Sequence, residues 1–171
     1  LINEILDLRK IDTKNMKVHC TKGDIIDFIR QLLNAFNASA EKKSVTLHFV
    51  SPKEAFETWF DPGKIEIVFY NLISNALKYS TGLVAVELAL SADFAEWVLT
   101  VADCGRGIPS EDQGKLFETF HRASNVGNVH GTGLGLAIVK RVVDSYGGRI
   151  EIKSVLNVGT TVTLRFPVEA P

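Results

Sequence analysis

Gly131, Gly133 and Gly135 alternate in the run Gly131-Thr132-Gly133-Leu134-Gly135-Leu136, directly ahead of an apolar helical pattern. Without a Cβ in the way, backbone amides at such positions can approach a bulky anion. A helix that starts there points its free N–H groups and positive dipole end at the same spot. Phosphate is the chemistry this pattern suits. A second set, Asn71, Asn75 and Lys78, falls at i, i+4 and i+7 and so shares one stripe of a helix. Amide oxygens are hard, neutral ligands for Mg²⁺, an ion that keeps waters and takes its other ligands from phosphates. Asp103, at the end of the apolar run Val98–Val101, precedes Gly105 and Gly107. A carboxylate there can accept a hydrogen bond from an exocyclic amine such as adenine N6, and an unmatched buried acceptor is costly. Arg122 lies in a polar stretch from which it can reach a terminal phosphate.

Each set also has a plainer explanation when taken alone. The asparagine stripe suits a solvated helix face, the aspartate a turn that closes a strand, and the stretch 109–132 a surface loop with a few pinned aromatics. The glycine run is not a dinucleotide fingerprint, because polar residues precede it in place of a strand. Nor does a Gly-Lys-Ser/Thr follow it.

The elements that would carry these groups follow from periodicity. Leu1, Ile5 and Leu8 have helical spacing, and an extended piece is expected near Met16–Cys20. Asp24 caps a helix running through Ile25, Ile29, Leu32, Leu33 and Phe36. Val45–Val50 alternates as a half-buried strand. Asp61-Pro62 is a strong helix start, and that helix should run to about Tyr79. Leu83–Leu90 and Glu96–Ala102 form a hairpin through Ser91-Ala92-Asp93, a short helical piece lies near Gln113–Phe117, and a helix spans about Gly133–Tyr146. Gly147-Gly148 stops it, and strands Arg149–Ser154 and Thr160–Phe166 follow. Helices grouped against a mixed, mainly antiparallel sheet make an α+β, two-layer sandwich.

Bulk composition narrows the function. The 171 residues suit one domain, and 46% apolar residues suffice for a core. A net charge of -1 argues against general affinity for nucleic acid or anionic membranes. No apolar run has the length of a membrane span. Cys20 and Cys104 are too isolated for a disulfide framework or zinc site, which fits a soluble, cytoplasmic chain, with Cys104 expected as a packing residue. His121 and His130 lack companion ligands and are expected on the surface, while Phe117 and Phe120 are expected to anchor the loop.

Taken together, Asn71-Leu-Ile-Ser-Asn75-Ala-Leu-Lys78-Tyr79, Asp103-Cys-Gly105-Arg-Gly107-Ile108, Leu116-Phe117-Glu-Thr-Phe120-His-Arg122 and Gly131-Thr132-Gly133-Leu134-Gly135-Leu136 resemble the N, G1, F and G2 boxes of sensor histidine kinases. The resemblance implies a Bergerat ATP-binding fold over residues 16–168 with a lid at about 109–132. Residues 1–15 resemble the C-terminal end of the family's second dimerisation helix. It further implies that Asn71 and Asn75 hold Mg²⁺, and that these two with Lys78 and Arg122 serve phosphoryl transfer. ATP itself would be bound by Asn75, Lys78, Tyr79, Asp103, Gly105, Gly107, Ile108, the run Gly131–Leu136 and the last-strand hydroxyl of Thr161, with Thr160 the second choice. The implied partners are the protein's own phosphoacceptor and dimerisation domain, making a homodimer in the full-length, membrane-tethered protein, and the receiver domain of a response regulator.

Two departures carry consequences. None of His19, His48, His121 and His130 has the acidic and Arg-Thr-Pro context of a phosphoacceptor, so the accepting histidine is expected outside this chain. The turn Leu156-Asn157-Val158-Gly159 keeps a single glycine. Related ATPases carry a water-activating glutamate where this chain has Asn71, and a neutral amide is a poor general base. Slow ATP hydrolysis is therefore expected. The competing reading is a degenerate, regulatory nucleotide-binding or scaffold module without kinase activity; a serine-kinase anti-sigma-type domain shares the boxes but would not need residues 1–15.

Overall fold

A computed structural model describes residues 17–127 and 131–169. The expected helix in residues 1–15 lies outside the described residues. The chain order is β1 (Thr21–Asp24), α1 (Ile25–Asn34), α2 (Asn37–Lys42), β2 (Thr46–Val50), β3 (Glu57–Phe60), α3 (Pro62–Tyr79), β4 (Ser80–Leu90), β5 (Glu96–Gly105), α4 (Ser110–Gln113), a 3₁₀ turn (Ser124–Val126), α5 (Gly135–Ser145), β6 (Arg149–Val155) and β7 (Gly159–Pro167). Five strands form one sheet in the order β2-β4-β5-β7-β6, and β1 pairs with β3 apart from it. Only β2–β4 is parallel within the large sheet; its other pairings are antiparallel. This is the α+β sandwich expected from the sequence.

Alternation decides which face is covered. Along β5, Trp97, Leu99 and Val101 are buried while Val98, Thr100 and Ala102 are less so, and β7 repeats the pattern with Val162, Leu164 and Phe166. These residues join Ile65, Val68, Phe69 and Ile73 of α3 and Val139, Val142 and Val143 of α5 in one core. Trp97 stacks on Phe166 with ring centroids 4.3 Å apart. Asp103 has the same parity as Val101, so the strand that builds the core also delivers its carboxylate to the helical layer.

Caps fix where the helices begin. Asp24 Oδ1 accepts the amides of Ile26 (3.0 Å) and Phe56 (3.1 Å), joining α1 to the segment ahead of β3. Asp61 Oδ1 accepts the Lys64 amide (3.1 Å) and its Oδ2 the His19 amide (2.9 Å). The Asp61 amide in turn donates to the Tyr146 hydroxyl at the end of α5 (2.7 Å). Thus one residue ties the start of α3 and the segment ahead of β1 to the far end of α5.

Several boundaries differ from expectation. The extended piece near Met16–Cys20 is displaced to β1, which forms by pairing with β3, a strand that Glu57–Phe60 does not signal in sequence. The second helix ends at Asn34, so Phe36 lies in a turn before α2. The helical piece expected at Gln113–Phe117 is instead α4 at Ser110–Gln113, where Pro109 sets its start. The turn Leu156–Val158 closes because Asn157 takes a positive φ of 61° and supplies the left-handed residue that a glycine otherwise would. Its amide donates to the Arg106 carbonyl (2.7 Å), which docks the turn on the loop after β5.

Candidate functional site

A cavity of ≈ 270 Å³ opens between α3, the tip of β5 and the start of α5. From α3 come Asn71, Asn75, Lys78 and Tyr79, which all line it. They do so because α3 buries Val68, Phe69, Leu72, Ile73 and Ala76 and leaves the amide stripe at its edge. Asn71 donates Nδ2 to the Ile67 carbonyl (2.8 Å), which fixes the amide plane and reserves Oδ1 as an acceptor. Among the described residues no cluster of three His, Cys, Asp or Glu side chains could hold a metal on its own. The donor set therefore suits an ion that arrives with phosphate ligands.

Asp103 lines the cavity opposite this edge. Desolvation raises its carboxyl to about 6 from an ordinary 3.8, while the amides of Gly105 and Thr160 partly offset the rise. Its Oδ1 is nonetheless buried without a hydrogen-bond partner. A buried acceptor left open in this way is uncommon and points to a donor supplied from elsewhere. Beside it, the Lys78 ammonium and the Arg106 guanidinium lie 5.1 and 5.7 Å from the Tyr79 ring centroid.

The glycine run joins the two sides. Gly133 has φ +73°, and a Cβ there would come within 2.6 Å of the His121 carbonyl. Its own carbonyl accepts the Phe120 amide (3.0 Å), so the middle of the lid segment is tied back to its C-terminal end at this residue. A Cβ on Gly135 would lie 2.8 Å from Asn71 Oδ1, so glycine is what lets the α5 N-terminus sit against the amide stripe. At Gly131 the nearest atom would be the end of the flexible Lys78 side chain.

Thus Asn71, Asn75, Lys78, Tyr79, Asp103, Gly107, Ile108, Arg122, Gly131, Thr132, Gly133, Gly135 and Leu136 come together around one space. Gly105, Leu134 and Thr161 do not. Gly105 is needed by the protein itself, since a Cβ would approach the Tyr79 carbonyl to 2.3 Å. Leu134 is fully buried and packs with Ile138 and Ile67. Strand parity turns Thr161 to the opposite face, and Thr160, paired with Asp103, lines the cavity together with Val162 of the same strand.

Three expectations about the lid and loop are corrected as well. His121 lines the cavity with a side chain only 20% exposed, and is not a surface residue. Leu116 is the buried anchor of the segment, whereas Phe120 is 67% exposed on a left-handed backbone with φ 65°. Cys104 is exposed and does not pack. Sequence reasoning misses Arg106 and His121 because neither belongs to a periodic pattern; only their sequence neighbours, Gly105 and Arg122, hint at the site.

A carboxylate on a strand tip, an amide-bearing helix edge and a glycine-led helix N-terminus around one cavity define an ATP-binding α+β domain. The chain belongs to the family of histidine kinase-, DNA gyrase B- and HSP90-like ATPases, whose profile matches residues 60–170. It is 35% identical over 173 aligned positions to the sensor protein kinase WalK of Staphylococcus aureus, in an alignment that covers 99% of this chain and 41% of that protein. The WalK of strain JH9 is matched with the same identity over 28% of its length. The chain thus spans less than half of these curated relatives. Among solved structures, full-length ShkA in complex with AMPPNP superimposes with a TM-score of 0.84 at 24% identity, over 99% of this chain and 35% of that one. The catalytic domain of histidine kinase ThkA gives 0.77 at 24% identity over 88% and 97%. The mycobacterial sensor histidine kinase MprB gives 0.76 at 25% identity over 88% and 100%.

Proposed function

We propose that residues 16–168 are the catalytic domain of a sensor histidine kinase, which binds Mg-ATP and passes the γ-phosphoryl group to a histidine on a dimerisation domain outside this chain. The observation that carries the reading is the convergence of Asp103, the Asn71–Asn75–Lys78 edge and the Gly131–Gly135 run on one cavity. Asp103 takes the adenine amine, which satisfies a carboxylate otherwise short of a partner. Tyr79 borders the base. Thr160 replaces Thr161 as the last-strand hydroxyl near it.

Asn75 and Asn71 suit Mg²⁺ because both present neutral amide oxygens and a nucleotide brings the remaining ligands. Held there by Asn71 and Asn75, the ion would supply neutralisation of the phosphate charge. Phosphoryl transfer asks the protein mainly for positioning and electrostatic stabilisation. Lys78 and the α5 N-terminus hold phosphate oxygens, and Arg122 meets the terminal group. Asn71 cannot activate water as a carboxylate would, so the phosphoryl group is kept for its acceptor.

The acceptor histidine, a homodimer through the dimerisation domain, a response-regulator receiver domain as the next phosphoryl acceptor and a membrane tether in the whole protein all follow from the same proposal. The shared cavity with its complete donor set speaks against a non-catalytic scaffold. The test is to incubate full-length protein with γ-labelled ATP. An acid-labile, base-stable phosphoprotein lost in Asn75→Ala is expected; ATP binding without any such product would overturn the kinase reading.

A further inference from the structure

The start of the lid contains a clamp that the chemistry above does not use. Asp112, in α4, is a 9% exposed carboxylate outside the cavity lining. Its Oδ2 accepts both the amide (2.7 Å) and the hydroxyl (2.8 Å) of Ser124. Its Oδ1 lies 3.6 Å from His121 Nε2, a buried nitrogen with no hydrogen-bond partner. The bonds from the Ser124 amide and hydroxyl hold the Asp112 carboxyl below its ordinary range, with His121 and Lys115 adding to the effect. Between the two clamped residues stand Arg122 and Ala123, and both line the cavity. Arg122 also donates to the Gly127 carbonyl (3.1 Å). With the Ser124 backbone bonded to Asp112 and the His121 ring packed beside the same carboxylate, the intervening pair has little freedom to leave the cavity wall.

We propose that Asp112 is a positioning residue for triphosphate recognition, acting through His121 and Ser124 to hold Arg122 against the cavity. The inference rests on the reading of the cavity as an ATP site with Arg122 at the terminal phosphate. Its signature is selective: a displaced Arg122 costs affinity for ATP and spares ADP. A carboxylate that served only the fold would weaken both nucleotides alike.

Isothermal titration of the 171-residue chain with Mg-ATP and Mg-ADP separates these cases. Asp112→Asn should weaken ATP about tenfold, the scale of a lost charge-assisted hydrogen bond, and leave ADP within about twofold. Arg122→Ala should give the same selective loss, and the double variant should lose less than about twofold beyond Arg122→Ala, since both act through one contact. Equal losses for ATP and ADP in Asp112→Asn, or additive losses in the double variant, would overturn the inference. So would an ATP-selective loss in Arg122→Ala with none in Asp112→Asn, and that result would leave the ATP reading intact. A wild-type chain that binds no Mg-ATP, or an Arg122→Ala chain with no selective loss, would instead remove the reading on which the inference stands. If Asp112→Asn does not fold, Ser124→Ala deletes the hydroxyl bond alone. It should show a weaker loss of the same ATP-selective kind, about threefold, and equal losses there would likewise overturn the inference.

Discussion

Replacing Asp103 with asparagine should move affinity and stability in opposite directions. In the ligand-free chain the carboxyl sits at about 6, raised chiefly by desolvation. The folded state therefore holds its proton more tightly than the unfolded chain, whose aspartates titrate near 3.8. Stability from this group is present at low pH and is lost as pH rises from about 4 to 6. The nominal cost of the ionised form is about 3 kcal/mol, which solvent contact reduces to roughly 1 kcal/mol. Asp103→Asn should thus raise the ligand-free melting temperature at pH 7 by a few degrees. Binding reverses the sign, because the adenine amine donates more strongly to the ionised carboxylate than to the neutral acid. From the titration position, the ionised fraction falls from roughly 90% at pH 7 to roughly 10% at pH 5, so ATP affinity should fall about tenfold over that range. Loss of a charge-assisted hydrogen bond should cost the asparagine variant about 10- to 100-fold in affinity at pH 7. ATP phosphates also respond to pH, so the relevant quantity is the wild-type profile minus that of Asp103→Asn. Titration calorimetry at pH 5, 6 and 7, beside differential scanning calorimetry without nucleotide, measures both arms. A variant that loses stability at pH 7, or whose ATP affinity keeps the full wild-type pH slope, would refute the reasoning.

Other consequences are simpler to check. Asn75→Ala should weaken ATP about tenfold or more in Mg²⁺ and little in EDTA, seen by fluorescence titration with a labelled analogue; equal losses in both buffers would remove the metal role. Gly133→Ala should disrupt the lid junction and cut ATP binding more than Gly131→Ala, measured by the same titration, because its φ and the His121 carbonyl leave no room for Cβ, whereas at Gly131 the nearest atom is the end of the flexible Lys78 side chain, which can shift. Asp61→Ala should destabilise the domain by about 2 kcal/mol in urea denaturation, at the upper end for a helix cap, since the carboxylate also holds the His19 amide.

Locality decides how much of the fold and site is legible in the sequence. The caps Asp24 and Asp61, helix α3 and the paired strands β4–β5 and β6–β7 arise from neighbours in the chain, and periodicity exposes them. The strand Glu57–Phe60 does not show, because it exists only through pairing with residues 21–24, and α2 is too short for a helical period. The same division holds at the site. Asn71, Asn75 and Lys78 announce their shared stripe, and the glycine run announces its loop. The choice of Thr161 over Thr160 goes astray although the alternation of β7 itself carries the answer, since Thr160 shares the parity of the buried Val162, Leu164 and Phe166, while Thr161 shares that of Thr163 and Arg165. His121 reads as a surface residue since the carboxylate that backs it stands nine residues upstream across a loop. Gly105 and Gly107 read as clearance for the nucleotide. Both prove to be clearance for the protein, against the Tyr79 and Val155 carbonyls.

The central claim is that Asp103, the amide edge of α3 and the glycine-led end of α5 grip opposite ends of one nucleotide. A crystal structure of the chain with Mg²⁺ and a non-hydrolysable ATP analogue tests it most directly. The adenine amine should lie at the Asp103 carboxylate, the ion at Asn75 and the phosphates against Lys78 and the start of α5. Nucleotide bound elsewhere, or in this cavity with its base away from Asp103, would contradict it.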